Sequence, residues 1–182
     1  ARFTQNSYVD ALEISEVSFG QVWFRKPGLM KWHYTSPSEQ VFVIRDGTLW
    51  LYQVEPRQVI IDDFKETLIS DLPVSFLLGI GDIKKDFRLN KACQNAEGIV
   101  MELSPAGSGP RQAELKNFKL LVNPDSFVPR GAFVVDVGNN STAMLLNEIK
   151  LNPEIAQEVF SSEFGSGLDI SDRRLERRQN QE

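Results

Sequence analysis

The chain has 182 residues, 41% hydrophobic and 10% aromatic, with 25 acidic residues, 20 basic residues and one histidine. That length and apolar content suit one packed domain, or one domain with a tail. A net charge of −5 argues against the concentrated basic face that nucleic-acid binding needs. No apolar run approaches the roughly 18 residues of a membrane span, and the single cysteine, Cys93, excludes an internal disulfide.

In chain order, residues 1–10 hold Phe3, Tyr8 and Val9 among polar neighbours and read as the start of a strand. From Leu12 to Arg25 apolar and polar residues alternate, and a change of parity near Val17 and Phe19 predicts a bulge or bend. Gly20 to Trp50 is the most patterned stretch and contains all three tryptophans and the only histidine. Lys26-Pro27-Gly28 makes a turn, because proline pre-sets φ and glycine accepts positive φ. Thr35-Ser36-Pro37-Ser38 is a second break, and Asp46-Gly47 between two apolar runs is a hairpin signal. Strand alternation points Leu29, Lys31 and His33 one way and Met30, Trp32 and Tyr34 the other. One face of that strand is therefore large, aromatic and apolar, and requires a cover. Thr48 to Val54 is apolar on both faces, and Gln58 to Asp62 is a β-branched strand.

Phe64 to Gly79 reads as a helix, with Asp71 as N-cap, Pro73 in the first turn and Gly79 as stop. Val74, Phe76, Leu77 and Leu78 make it apolar nearly all round, so it needs apolar partners on most sides. Asp82 to Asp86 is a charged turn or short helix. Strands resume at Phe87–Asn90, Ile99–Leu103, Ala113–Val122, Ala132–Val137 and Thr142–Lys150, the last two joined at Gly138-Asn139-Asn140. Asn152-Pro153-Glu154 is expected to cap a short helix ending at Phe160. From Asp169 onward the chain reads as a frayed polar tail. Its Arg173, Arg174, Arg177 and Arg178 are either solvated or in contact with an anionic surface. About ten or eleven short strands with regular turn signals predict an antiparallel sheet, sandwich or barrel. A sheet that curls without closing can hold the mid-chain helix in its concave side. The expected division is a domain over residues 1–170 and a tail over 171–182.

Little in the sequence points to catalysis. A triad would have to use His33, which no nucleophile-elbow motif accompanies, and a lone histidine on a strand reads as a surface or packing residue. Cys93 has no second cysteine or nearby histidine and reads as a buried, inert thiol. Metal-ligand spacing is absent. Asp62 and Asp63 are strand neighbours facing opposite sides, so they do not form an acid–base couple. No catalytic residue, metal or cofactor is assigned, and abundant apolar surface on a curled sheet points to a binding protein for something greasy.

Several motifs in order carry a resemblance. They are Phe3-Thr4-Gln5; Gly20-x-Val22-x-Phe24-Arg25-Lys26-Pro27-Gly28-Leu29-Met30-x-Trp32-x-Tyr34; Pro37; and Asp46-Gly47-Thr48-Leu49-Trp50-x-Tyr52. Leu72-Pro73-Val74-Ser75-Phe76-Leu77-Leu78-Gly79, Glu102-Leu103-Ser104-Pro105 and the hairpin from Asp136 to Thr142 follow. Together they resemble the outer-membrane lipoprotein carrier proteins, the LolA family, from about Arg2 to Ile170. The resemblance implies an unclosed antiparallel β-barrel of about eleven strands with a helical lid over a hydrophobic cavity. It implies a periplasmic, non-enzymatic chaperone that takes acylated lipoproteins from an inner-membrane ABC-type release complex to an outer-membrane acceptor lipoprotein, with no nucleic-acid partner and a monomeric state. The expected acyl-chain-binding residues are Phe24, Met30, Trp32, Trp50, Phe76, Leu77 and Met101, with Lys26 or Arg25 fastening the lid. The family often has arginine where this chain has Lys26, and lysine lacks the planar fork of donors for a multi-bond latch. The family also has an amphipathic helix ahead of the Phe-Thr-Gln strand, which here precedes the numbering: either the sequence is trimmed or part of the lid is missing. The alternative function is a module on the same fold that senses lipids or lipoproteins.

Overall fold

A computed structural model describes residues 1–64, 83–107 and 115–179. Twelve strands follow one another as β1 Arg2–Val9, β2 Ile14–Arg25, β3 Leu29–Ser36, β4 Gln40–Arg45, β5 Thr48–Gln53, β6 Gln58–Asp63, β7 Phe87–Asn95, β8 Gly98–Pro105, β9 Leu115–Val122, β10 Pro129–Asp136, β11 Ser141–Asn147 and β12 Asp169–Asp172. Two short helices, α1 Ile83–Asp86 and α2 Arg173–Gln179, and 3-10 turns at Asp10–Leu12 and Gln157–Phe160 complete the described elements. The hydrogen-bonded order is β12-β6-β5-β4-β3-β2-β1-β11-β10-β9-β8-β7, so among the described residues the sheet is unclosed. Neighbours from β2 to β6 and from β7 to β11 pair antiparallel, while β12 joins β6 in parallel. The helix expected over Phe64–Gly79, with Phe76 and Leu77, lies outside the described residues beyond Phe64.

The chain divides into two compact units; of the described residues, one holds 1–2, 18–64 and 149–179, the other 3–17, 83–107 and 115–148. In the first, local chemistry sets the hairpins. Asp46 and Gly47 both take positive φ, 52° and 77°, which is the two-residue turn that matches strand twist. The expected irregularity in β2 is present as a register shift between Phe19 and Gly20. The segment expected to be capped by Asn152 is instead a 3-10 turn that starts after Ala156 without a side-chain cap.

In the second unit, β9 supplies a buried row of Phe118, Leu120 and Val122. Leu103 of β8 and Ala132 of β10 are buried opposite Phe118 and Leu120, Met144 of β11 is buried opposite Ala132, and the Phe87 and Phe118 ring centroids lie 5.1 Å apart. The opposite side of β8 and β9 carries the Glu102–Lys119 pair at 3.1 Å. Cys93, read as a buried thiol, is exposed, because β7 is an end strand of the sheet.

The stretch read as a frayed tail is ordered as β12 and α2, and its arginines hold it. The Asp169 amide donates to the Arg57 carbonyl at 3.0 Å, and Gln58 Nε2 donates to Asp169 Oδ2 at 3.0 Å. Arg174 grips both Asp172 oxygens through Nε (2.9 Å) and Nη2 (2.7 Å), while its Nη1 reaches Thr48 Oγ1 at 3.1 Å. Arg177 pairs with the buried Asp62 carboxylate. Bidentate, charge-assisted bonds of this kind are about twice as strong as neutral ones.

Arg177→Ala is expected to lower stability by about 1–3 kcal/mol in urea unfolding, because it leaves a buried carboxylate without its cation. The double variant Asp62→Leu/Arg177→Leu should recover most of that loss. The bonds from Arg174 hold the Asp172 carboxyl below the ordinary carboxylate value. Its contribution to stability is therefore full above the unfolded value of about 3.9 and is lost as pH falls through the lower folded value. The stability advantage of the native chain over Asp172→Asn should hold steady from about pH 7 to 5 and shrink below about pH 4.

Candidate functional site

Strand pairing in the first unit sorts its side chains into two faces. Val22 and Phe24 of β2 lie opposite Trp32 and Met30 of β3. Met30 and Trp32 lie opposite Ile44 and Phe42 of β4, which in turn face Leu49 and Leu51 of β5. Side chains of directly paired residues share a face, so these residues make one continuous apolar surface. Met30 is 1% exposed and Trp32 3%, and Val22, Ile44 and Leu49 are buried with them. Trp32 Nε1 donates to Met30 Sδ at 2.8 Å, which pairs the indole N–H with a soft thioether acceptor. The Trp32 and Tyr34 rings stack at 6.4 Å, and Tyr34 meets Phe42 at 5.7 Å. Each large apolar side chain fully removed from water stabilises by about 1.5–3 kcal/mol, so this face anchors the unit whatever else it does.

The second face has a different character and its own cover. Trp50 pairs with Val43, and Val43 with Lys31, so Trp50 stands on the opposite side of the sheet from Phe24, Met30 and Trp32. The expectation that Met30, Trp32 and Trp50 line one hollow is thereby corrected. On this side Arg45 lies over the Trp50 ring at 5.5 Å and Lys31 over Trp23 at 5.9 Å. The 3-10 turn Gln157–Phe160 packs on β3 and β4. Phe160 is fully buried, Phe164 stacks on Tyr52 with centroids 4.9 Å apart, and Val43 is completely enclosed. Arg25 joins the same cover: its Nη1 donates to the Ile155 carbonyl at 3.2 Å, and its guanidinium carbon lies 5.4 Å from the Phe160 ring centroid.

The remaining expected residues fall as follows. Lys26 is exposed in the turn between β2 and β3. Met101 belongs to the second unit, where it pairs with Leu120 of the buried β9 row. Phe76 and Leu77 lie outside the described residues. His33 pairs with Glu39 through Nε2 and Oε1 at 2.8 Å. Sequence reasoning missed Ile155, Phe160 and Phe164 as the cover of the second face. The available signal was that Phe160 and Phe164 are the only aromatic residues after Phe133.

If the apolar face of Phe24, Met30 and Trp32 takes ligand, the two faces should differ in fluorescence. A variant whose only tryptophan is Trp32 should be quenched by a bromine-labelled acyl peptide, and one whose only tryptophan is Trp50 should not. Equal quenching of both would overturn the assignment of faces.

A family model described as the outer membrane lipoprotein carrier protein LolA matches residues 1–163. An outer-membrane lipoprotein carrier protein from Photorhabdus laumondii is 28% identical over 174 residues, covering 96% of this chain and 81% of the relative. One of the same description from Nitrosomonas europaea is 24% identical over 172 residues, covering 93% and 80%. Among solved structures, an uncharacterized conserved protein from Thermus thermophilus superposes with a TM-score of 0.61 at 14% identity, covering 94% of this chain and 89% of that one. That likeness concerns the fold alone.

Proposed function

The chain belongs to the LolA family of outer membrane lipoprotein carrier proteins, and on that premise we propose that it is a periplasmic carrier that shields the acyl chains of lipoproteins against its apolar face. The observation that carries this reading is the continuous surface of Val22, Phe24, Met30, Trp32, Ile44, Phe42 and Leu49, set apart from the separately covered second face. Each acyl CH₂ removed from water contributes about 0.8 kcal/mol, so a soluble carrier must offer apolar burial comparable to a bilayer. Release then requires that binding be opposed by something internal. A lid that must open before cargo enters lowers apparent affinity by the fraction of molecules in the open state.

In this reading Phe76 and Leu77 belong to that lid, and the latch falls to Lys26. Arg25 is already engaged with the Ile155 carbonyl and the Phe160 ring, whereas Lys26 stands exposed in its turn. Cargo arrives from an inner-membrane ABC-type release complex and leaves to an outer-membrane acceptor lipoprotein. The work is transfer between apolar environments, with no covalent step and no cofactor.

Mixing the protein with a purified acylated lipoprotein and then removing detergent tests the reading. The two should co-elute, the deacylated form should elute alone, and Phe24→Glu should abolish co-elution. Trp50→Glu, on the other face, should leave it intact, and Lys26→Leu should change the rate of cargo release. Co-elution of the deacylated lipoprotein at the same level would defeat the proposal.

A further inference from the structure

The apolar face that the carrier reading uses ends, at β6, in a charge. Asp62 lies opposite Leu49, and Leu49 opposite Ile44, so the carboxylate stands on the same face as Met30 and Trp32. Asp62 is the only buried charged side chain among the described residues. Its Oδ1 accepts from the Asp63 amide at 2.7 Å and from Nη2 of Arg177, in the helix α2 that packs on β6. The residues that β2 to β6 place on this face include no lysine or arginine. Among the described residues, the Arg177 guanidinium is thus the one cation shown against it.

The chemistry of an acyl chain gives that cation a use. Such a chain is joined to its lipoprotein through an ester or amide carbonyl. A carbonyl taken out of water loses its hydrogen bonds unless the protein replaces them. A guanidinium holds five N–H donors in a fixed fork, and Arg177 engages Asp62 through Nη2 alone. Its side chain is 43% exposed, and Nε and Nη1 have no partner among the described residues. Together with Asp62 it forms a pair without net charge. A neutral carbonyl oxygen can accept from the remaining donors while that pair stays intact, whereas an anion would have to compete with the carboxylate. The far end of the same rows carries Tyr34, Gln40, Gln53 and Gln58, which are neutral donors, and Gln58 Nε2 is already given to Asp169.

We propose that Arg177, positioned by Asp62, is the polar anchor of the bound cargo. It donates to the ester or amide carbonyl of an acyl chain whose hydrocarbon runs over Leu49, Ile44 and Met30. This deepens the carrier reading and rests on it. The lipid then lies in one direction, with its carbonyl end at α2 and its tail toward β2.

The test compares two synthetic lipopeptides of one sequence and one chain length, the first joined to its chains through ester carbonyls and the second through ether oxygens. Intrinsic tryptophan fluorescence gives each Kd. The native chain should bind the ester about tenfold more tightly than the ether, the equivalent of one hydrogen bond from a charged donor. Asp62→Leu/Arg177→Leu should bind the two alike, with a urea midpoint close to that of the native chain. Arg177→Lys keeps a cation beside Asp62 without the planar fork and should reduce the preference to about threefold or less. Gln40→Leu/Gln53→Leu, at the far end, should keep it. The anchor is overturned by equal binding of the two lipopeptides to the native chain, by a preference that survives in the folded Asp62→Leu/Arg177→Leu chain, or by one that Gln40→Leu/Gln53→Leu abolishes. Should the double variant not fold, an unchanged preference in Arg177→Lys overturns it. If the native chain binds neither lipopeptide, the carrier reading falls and the anchor with it, a result distinct from tight binding without preference.

Discussion

The two-residue period of the strand is the constraint on which the first unit depends. With side chains alternating across the backbone, the pairing of Met30 with Ile44 and of Lys31 with Val43 decides what every neighbouring strand presents. A slip of one residue between β3 and β4 would put Phe42 beside Lys31 or His33 and break up the apolar surface. The buried side chains on both faces oppose such a slip. Met30, Trp32 and Ile44 lose contact on one side, and the enclosed Val43 loses its place on the other.

The covered second face explains how a strand can carry large apolar groups on one side and be apolar again on the other. The chain returns after β11 and lays Ile155, Phe160 and Phe164 over Arg25 and Tyr52. Arg25 matters here as an arginine: its planar guanidinium can donate to a carbonyl edgewise while presenting its face to an aromatic ring. The same side chain therefore satisfies a backbone acceptor and packs against Phe160. The second face is thus closed by the chain's own return segment.

What could be read from sequence was local. The Asp46-Gly47 turn and the alternation of Met30, Trp32 and Tyr34 depend on adjacent residues, and both are in the structure. Trp50 shows where locality ends. A two-residue turn pairs Arg45 with Thr48, and hence Val43 with Trp50, which the sequence does contain. Whether Val43 shares a side with Lys31 or with Trp32 depends on how β4 returns along β3 after Pro37, and no local signal sets that. Cys93 failed for a related reason: its exposure follows from β7 ending the sheet, a property of the whole strand order. The C-terminal stretch looked frayed because Arg174 and Arg177 are polar residues in a polar run. Their partners Thr48 and Asp62 lie more than a hundred residues away in sequence.

Those ion pairs also change what the basic stretch can do. Arg174 is bound to Asp172 and Thr48, and Arg177 to Asp62, so the charges of these two arginines are each matched by a carboxylate. An arginine that must leave a partially buried carboxylate to meet a phosphate gives up one charge-assisted bond to form another and exposes an uncompensated anion behind it. Their attraction for an anionic surface is reduced accordingly. The two arginines act inward, securing a four-residue strand that has few backbone bonds of its own along the β6 edge, where an unpaired strand would otherwise invite pairing with other chains.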